Sequence, residues 1–198
     1  MSELKEVPQG LGIHVFSDLS PELSDQVQQF RASVSDVNGQ IRTPQEEERR
    51  SEKFCSDGDA KKWILVFKDK DLVGMAVLFG REIMYKDRAV VLGGIGKVRV
   101  REDWRQKGVA KKMMSEVMGQ LADMQYDIAF LGTDINSFLA DFYRKYGFVS
   151  LNRPYSFSGK SGRRYEENDG MLAPIRSKEI FQEIMNSSEP LDIGRGKW

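Results

Sequence analysis

The sequence predicts a single α/β domain with a mixed, largely antiparallel central sheet flanked by helices. Two observations lead to this fold class. Three apolar runs, at residues 62–68, 72–85 and 89–100, are separated by short polar turns, which is typical of an antiparallel meander. After residue 107 the apolar residues take the helical period, and strands and helices then alternate, which favours a partly parallel second half.

The first part of the chain predicts one strand and two helices. Residues 11–17 alternate apolar and polar side chains, as a half-buried strand does. Ser20 followed by Pro21 is a typical helix start, with a capping hydroxyl and a proline at the first helical position. Thr43 and Glu46 have the spacing of a capping box, so a second, polar helix is expected after them.

The second half of the chain predicts helices and strands in alternation. Apolar residues from Val109 to Leu121 recur at the spacing of an amphipathic helix. A short strand is expected at 127–132, followed by a helix at 136–146 that ends at Gly147. The remaining elements are expected to be a strand at 148–151, a hairpin or loop at 153–165, an edge strand at 171–175 ended by Pro174, a helix at 178–185 and a less regular end.

The composition excludes several classes of function. The 198 residues carry 30 basic and 30 acidic side chains, and this balance disfavours nucleic acid as the main partner. Cys55 is the one cysteine and His14 the one histidine, so neither a disulfide nor a zinc site is expected. No apolar run reaches membrane-spanning length and no signal peptide is present, so a cytoplasmic protein without membrane contact is expected.

The segment from Lys97 to Lys112 predicts a phosphate site. Its seven basic and two acidic residues give a local net charge of +5 in a neutral chain. A strand ends there, and a helix begins within the loop, which leaves unpaired backbone N–H groups that can bind phosphate. Gly108 has no Cβ and allows a ligand close to the backbone, and Ala110 is also small. The charges alone are equally consistent with a solvated helix start.

Two motifs in this half of the chain resemble a known superfamily. Arg105-Gln106-Lys107-Gly108-Val109-Ala110 is similar to the Arg/Gln-x-x-Gly-x-Gly/Ala motif of the GCN5-related N-acetyltransferases. Asn136, Tyr143, Gly147 and Phe148 reproduce the spacing of a second motif of that superfamily. The resemblance covers residues 10–176 as an N-acetyltransferase domain, and 177–198 are expected to form a helix and tail on the acceptor side.

The resemblance implies direct acetyl transfer from acetyl-CoA to a primary amine of a small molecule. Tyr143 occupies the position of the general acid that protonates the departing thiolate. The usual carboxylate position is Gly96 here, so Glu82, Asp36 and Asp169 are candidates for the general base, with Glu82 first. The positions implied to hold the coenzyme are Val98, Arg99, Val100, Arg105, Gln106, Lys107, Gly108, Val109, Ala110 and Asn136.

A closer resemblance is to the aminoglycoside 2′-N-acetyltransferases, which suggests an aminosugar acceptor. It implies acceptor binding by Asp36, Asp169 and Trp198. The chain departs from that group at Gly96 and at Gly196, where acidic residues are expected. The alternatives are a protein or peptide N-acetyltransferase and a non-catalytic acyl-CoA-binding domain. The length of the acyl chain stays open, and the apolar run at 72–79 together with the aromatic end suggests a homodimer.

Overall fold

The computed structural model describes residues 10–34 and 43–198. In these ranges the helices are α1 (Pro21–Ser33), α2 (Pro44–Ser51), α3 (Val109–Asp123), α4 (Phe138–Arg144) and α5 (Lys178–Asn186). The strands are β1 (Leu11–Phe16), β2 (Lys62–Lys68), β3 (Asp71–Tyr85), β4 (Arg88–Val100), β5 (Ile128–Gly132), β6 (Val149–Ser150), β7 (Tyr155–Ser158), β8 (Arg164–Glu167), β9 (Gly170–Pro174) and β10 (Leu191–Arg195).

The predicted α/β fold class is confirmed. Seven strands form one sheet in the order β1-β2-β3-β4-β5-β9-β6, and β10-β7-β8 form a smaller sheet. Strands β1 to β4 are antiparallel neighbours, as the meander predicted, while β4 and β5 are parallel. The change from antiparallel to parallel pairing places the loop after β4 and the N-terminus of α3 at the same sheet edge as the end of β5.

Each face of the large sheet has its own hydrophobic core. The α3 face buries the apolar stripe of α3, including Val109, Met113 and Val117, against alternate residues of the strands. The opposite face is covered by α1, α5 and the small sheet, with Phe30, Ile184 and Tyr155 among its buried residues. Because β3 is buried on both faces, its sequence shows an apolar run without alternation.

The predicted helix starts have the expected capping bonds. The Ser20 side chain accepts a hydrogen bond from Leu23 N at 3.2 Å, and Pro21 begins α1. Thr43 Oγ1 accepts from Glu46 N at 3.3 Å, while the Glu46 carboxylate accepts from Thr43 N at 2.9 Å. These two bonds are the reciprocal pair of a capping box, so the local sequence alone determines where α2 begins.

Three expectations are corrected by the sheet topology. The segment 72–79 belongs to the interior strand β3, so its apolar residues serve the core and not a dimer contact. Strand β9 lies between β5 and β6 and is therefore not an edge strand. The segment 191–198 begins with the regular strand β10, which pairs in parallel with β7. Asp36, a predicted acceptor-binding residue, lies outside the described residues.

Candidate active site

The candidate site is a split in the central sheet where β4 and β5 separate. The two strands pair at only three positions, and the last of these joins Gly94 to Phe130. β4 then continues to Val100, so within the described residues the outer edge of 95–100 has no strand partner. Lys97 has a φ of 54° at a register shift between β3 and β4, and this bulge directs β4 away from β5.

The loop after β4, residues 101–108, is called the donor loop below. Gln106 and Gly108 both have positive φ, at 60° and 80°. The first α3 hydrogen bond runs from Lys112 N to Gly108 O at 3.0 Å, so the N–H groups of residues 109–111 have no acceptor within the helix. Left-handed backbone beside a helix N-terminus forms a concave array of N–H groups that binds anions. The predicted phosphate site therefore has the expected backbone geometry.

The side chains of the motif secure this loop. Val109 is buried and faces Gly74, where a Cβ would lie 2.8 Å from the Val109 side chain. Its part in binding would therefore be limited to its backbone N–H. Arg105 Nε donates to Val100 O at 3.2 Å, which joins the loop to the end of β4. Ala110 is half-buried in the first turn of α3.

The basic residues of this region do not form one surface. Lys97 is paired with Asp57 on the face opposite α3, and Arg99 donates to the Arg31 and Val34 carbonyls at the end of α1. Lys112 donates to the Leu11 carbonyl at 2.8 Å, and Arg101 is paired with Asp103. Lys107 and Lys111, by contrast, are exposed beside the helix start.

Of the three predicted β4 positions, two face α3. Val98 and Val100 pack half-buried against the α3 core, whereas the Arg99 side chain turns to α1. Any contact of Arg99 with a ligand in the split would therefore be made by its backbone.

The second motif places Tyr143 in an apolar setting on the α3 face. Tyr143 is 7% exposed and packs on Phe142 and Phe148. Burial raises the pKa of Tyr143 to about 12. The raised pKa keeps the phenol neutral at pH 7, and among the described residues no group accepts its proton in a hydrogen bond. Asn136 is exposed in the loop between β5 and α4, two residues before the helix begins.

Trp198 closes the split from the face opposite α3. Its indole is 5% exposed, stacks on Phe79 and donates from Nε1 to Phe130 O at 3.0 Å. A Cβ at position 94 would lie 1.9 Å from the indole, and one at position 96 would lie 2.9 Å from Trp198 C. The glycine at position 96, where the resembled superfamily has a carboxylate, therefore makes room for the Trp198 backbone.

A network of charged groups lies beside Trp198 at the end of β5. Lys197 Nζ contacts Asp169 Oδ2 at 2.8 Å and is also paired with Glu167. Tyr155 donates from its hydroxyl to Asp169 Oδ1 at 2.6 Å, and burial together with these carboxylates raises the pKa of Tyr155. Asp169, a predicted acceptor residue, is thus at the split and is already paired.

Arg81 clamps the segment 191–198 from β3. Its guanidinium lies 4.0 Å from the centre of the Trp198 ring and donates to the carbonyls of Ile193 and Arg195. Nη2 also lies 3.0 Å from Cys55 Sγ. Burial raises the pKa of the Cys55 thiol, and the nearby guanidinium only partly opposes this. Cys55 is therefore a buried, neutral thiol beside the Arg81 guanidinium.

Asp57 lies beside the β4 bulge, on the same face of the sheet as Trp198. It pairs with Lys97, on the β4 bulge, and with Arg31 of α1 at 2.9 Å. Burial opposes ionisation of Asp57, but the hydrogen bonds and charges of Lys97 and Arg31 outweigh it, so its pKa lies below the ordinary value. Asp57 is an ionised carboxylate at the level of the bulge.

Glu82, the first candidate for a general base, is not brought to the split. It is exposed on β3 opposite Val91, on the strand face turned away from Arg81 and Trp198. The structure gives no geometric support for a role in proton transfer there. Of the three candidate carboxylates, Asp169 is the one that the described residues bring to the split.

Sequence reasoning missed the residues that tertiary structure brings together here: Cys55, Asp57, Arg81, Glu167 and Lys197. They are distant in sequence, and no local motif connects them. The one usable signal was the pair of glycines at 94 and 96 in an otherwise bulky strand, since such positions often mark a close approach.

Within the described residues, no group of three or more His, Cys, Asp or Glu side chains is arranged to hold a metal ion. Nor does any helix in this part of the chain have the length and apolar character needed to cross a bilayer.

The family follows from a sequence comparison. The model of the acetyltransferase (GNAT) domain matches residues 21–150 of the 198-residue chain. The chain therefore belongs to the GNAT acetyltransferases, a family of acyltransferases whose members use acetyl-CoA. A search of curated proteins gave no match.

Solved structures share the fold at low sequence identity. Escherichia coli ElaA is 24% identical with a TM-score of 0.57, over 82% of this chain and 99% of that one. The ribosomal-protein-S18-alanine N-acetyltransferase of E. coli is 11% identical with a TM-score of 0.54, over 83% and 94% of the two chains. A probable N-acyltransferase from Enterococcus faecalis is 16% identical with a TM-score of 0.53, over 71% of this chain. This chain spans only 33% of the Enterococcus protein. These likenesses establish the fold and do not single out the aminoglycoside 2′ group.

Proposed function

We propose that the protein is an acetyl-CoA-dependent N-acetyltransferase that acts on a primary amine of a small molecule. The observation that carries this proposal is the split between β4 and β5, which opens directly onto the donor loop. An extended thiol arm can pair with the edge of β4 beyond Gly94, which among the described strands pairs with β3 alone, while its phosphates reach the N-terminus of α3.

The donor loop fits a coenzyme with phosphate groups. The unpaired N–H groups at residues 109–111 supply hydrogen bonds, and exposed Lys107 and Lys111 supply positive charge. Bound acetyl-CoA supplies an activated acetyl thioester. The backbone of β4 would position that thioester, and N–H groups at the bulge would polarise its carbonyl.

Proton transfer at the split is assigned to Tyr143 and Asp169. Tyr143 keeps its proton at neutral pH and can donate it to a thiolate that the apolar surroundings solvate poorly. Near pH 7 an amine with a pKa of about 10.4 is protonated, so freeing it costs roughly 5 kcal/mol and favours a base. Asp169 is proposed for this task, because it is the candidate carboxylate that lies at the split, 3.3 Å from the position that a Cβ at Gly132 would take.

Calorimetric titration with acetyl-CoA tests the donor site. The wild type is expected to bind in the micromolar range, and Arg105→Glu to bind at least tenfold more weakly because it places negative charge beside the phosphates. Arg88→Glu, at the start of β4 and at the opposite end of that strand from the donor loop, is the matched control with the same change of charge and should bind as the wild type does. No binding by folded wild-type protein would overturn the proposal.

Thiol release with a panel of amines tests the acceptor class. The panel contains an aminosugar, simple alkylamines and peptides with free amino groups. Turnover of the small amines supports the proposal, and turnover of peptides alone would assign the acceptor to the protein or peptide class. Binding of acetyl-CoA without turnover of any amine would favour a non-catalytic acyl-CoA-binding domain.

A further inference from the structure

Two carboxylates flank the end of β5 on the side opposite α3. Asp169 Oδ1 lies 3.3 Å from the position that a Cβ at Gly132 would take. Glu167 is the second carboxylate, and both are paired with the ammonium of Lys197. Gly132 is the last residue of β5, just beyond the point where the two strands part. A pair of carboxylates in this place would attract a cationic acceptor that enters the split.

Every oxygen of this pair already accepts a hydrogen bond from the protein. Lys197 Nζ donates to Asp169 Oδ2 and Glu167 Oε2, and Tyr155 donates to Asp169 Oδ1. Lys53 Nζ donates to Glu167 Oε1 at 3.0 Å. The Lys197 side chain is only 9% exposed, less than Glu167 at 21% and Asp169 at 34%, so its ammonium is buried against the two carboxylates and balances their charge.

The backbone holds Lys197 in this position from both sides. Its N–H donates to Lys53 O at 2.8 Å and its carbonyl accepts from Cys55 N at 2.9 Å. The next residue, Trp198, is anchored at the split by its bond to Phe130 O. Because the main chain is fixed on either side of the side chain, the ammonium is a permanent part of the site.

We infer that Lys197 is a specificity-determining residue that excludes acceptors with a second positive charge. The inference rests on the proposed function, in which the acceptor amine enters the split from this side. The second ammonium of a di- or polyamine would need Asp169 and Glu167 as counter-charges, and Lys197 already neutralises them. A monoamine has no second ammonium and needs no such counter-charge. The acceptor class is therefore an amine without a further ammonium group, which separates this chain from an enzyme for polycationic aminosugars.

Binding of spermidine, measured by calorimetry at low salt, tests this inference without any need for turnover. Lys197→Met leaves Asp169 without a paired cation and Glu167 with Lys53 alone, and it is expected to bind spermidine at least tenfold more tightly than the wild type. Lys197→Arg keeps the charge and should behave as the wild type. The matched control Lys86→Met removes a lysine that is paired with Glu183 far from the split and should also leave binding unchanged.

A second variant keeps the test decisive if Lys197→Met does not fold. Lys53→Met removes only the outer cation from Glu167, at a side chain that is 39% exposed, and should give a smaller gain in the same direction. Unchanged spermidine affinity in the folded variants, with acetyl-CoA binding intact, would overturn the inference. Loss of acetyl-CoA binding in every variant and in the wild type would instead overturn the proposed function.

In the kinetic arm, the KM for spermidine should fall at least tenfold in Lys197→Met while the KM for a monoamine stays the same. An equal change for both amines would indicate a general structural effect and would also contradict the inference.

Discussion

The two sides of the split are built in opposite ways. On the donor side, the first turn of α3 offers the backbone N–H groups of residues 109–111, Lys107 and Lys111 are exposed beside it, and the loop is secured by local contacts such as Arg105 to Val100. On the proposed acceptor side, Trp198, Lys197 and Arg81 are buried or half-buried and joined to partners more than 25 residues away. The donor side is open and local, and the acceptor side is closed and assembled from distant segments.

This difference teaches where a motif is informative. Backbone groups bind phosphate in the same way whatever the surrounding side chains, so a short motif suffices to predict the donor loop. Recognition of an acceptor depends on which charges remain unpaired, and pairing is decided by residues far apart in sequence. The following changes break or sharpen this contrast.

The largest expected effect is on the closed side. Trp198→Ala should lower the free energy of unfolding by about 3–5 kcal/mol, because it removes a buried indole and its bond to Phe130 O. Urea unfolding gives the value. Gly94→Ala should be strongly destabilising in the wild-type background, since a Cβ at 94 collides with the indole. In the Trp198→Ala background the same substitution should cause almost no further loss of stability. Additive losses in the double variant would show that the two residues do not meet.

The next largest effect concerns Tyr143, whose phenol is buried on the α3 face. Its pKa is raised from about 10 to about 12, so the stabilisation from the neutral phenol is complete below pH 10 and is lost as the pH rises towards 12. Between pH 9 and pH 12 the free energy of unfolding should therefore fall by roughly 2–3 kcal/mol less in Tyr143→Phe than in the wild type. It should also lower kcat about 100-fold if Tyr143 donates the proton. Equal alkaline losses in both proteins would contradict the buried position.

Two glycines allow a direct comparison of the sides. Gly96→Ala should lower stability by about 1–3 kcal/mol, because the new Cβ meets the Trp198 backbone at 2.9 Å. Gly108→Ala should cost only about 1 kcal/mol, from its φ of 80°, but should weaken acetyl-CoA binding more than Gly96→Ala does. Thermal unfolding gives the stability of both variants, and calorimetry gives their affinity for acetyl-CoA. A larger stability loss in Gly108→Ala together with a larger affinity loss in Gly96→Ala would contradict the contrast between the two sides.

The smallest effect is expected at Cys55. Cys55→Ala removes one contact of Arg81 but leaves the carbonyls of Ile193 and Arg195, so the loss of stability should be about 1 kcal/mol. Since burial raises the pKa of this thiol, the loss should be the same at pH 7 and pH 8.5. A loss that grows between these two pH values would show that the native site holds a thiolate.

The sequence by itself determined the elements and the donor loop. The capping residues Ser20 and Thr43, the apolar runs of β2 to β4 and the stripe of α3 are local signals, and each appears in the structure at or near its predicted position. The glycine at 108 with its positive φ belongs to the same kind of signal, because a helix start is set by a few consecutive residues.

Only the tertiary structure decided which residues lie on the proposed acceptor side. The residue that closes the split is 68 positions from its partner Phe130, and Lys197 is 28 positions from Asp169. Such contacts form when separate elements pack, and their energies depend on burial and on charge pairing, which no spacing rule encodes. The order of strands is also a property of the whole sheet, so β9 lies in the interior and not at the predicted edge. Glu82 lies away from the split for the same reason.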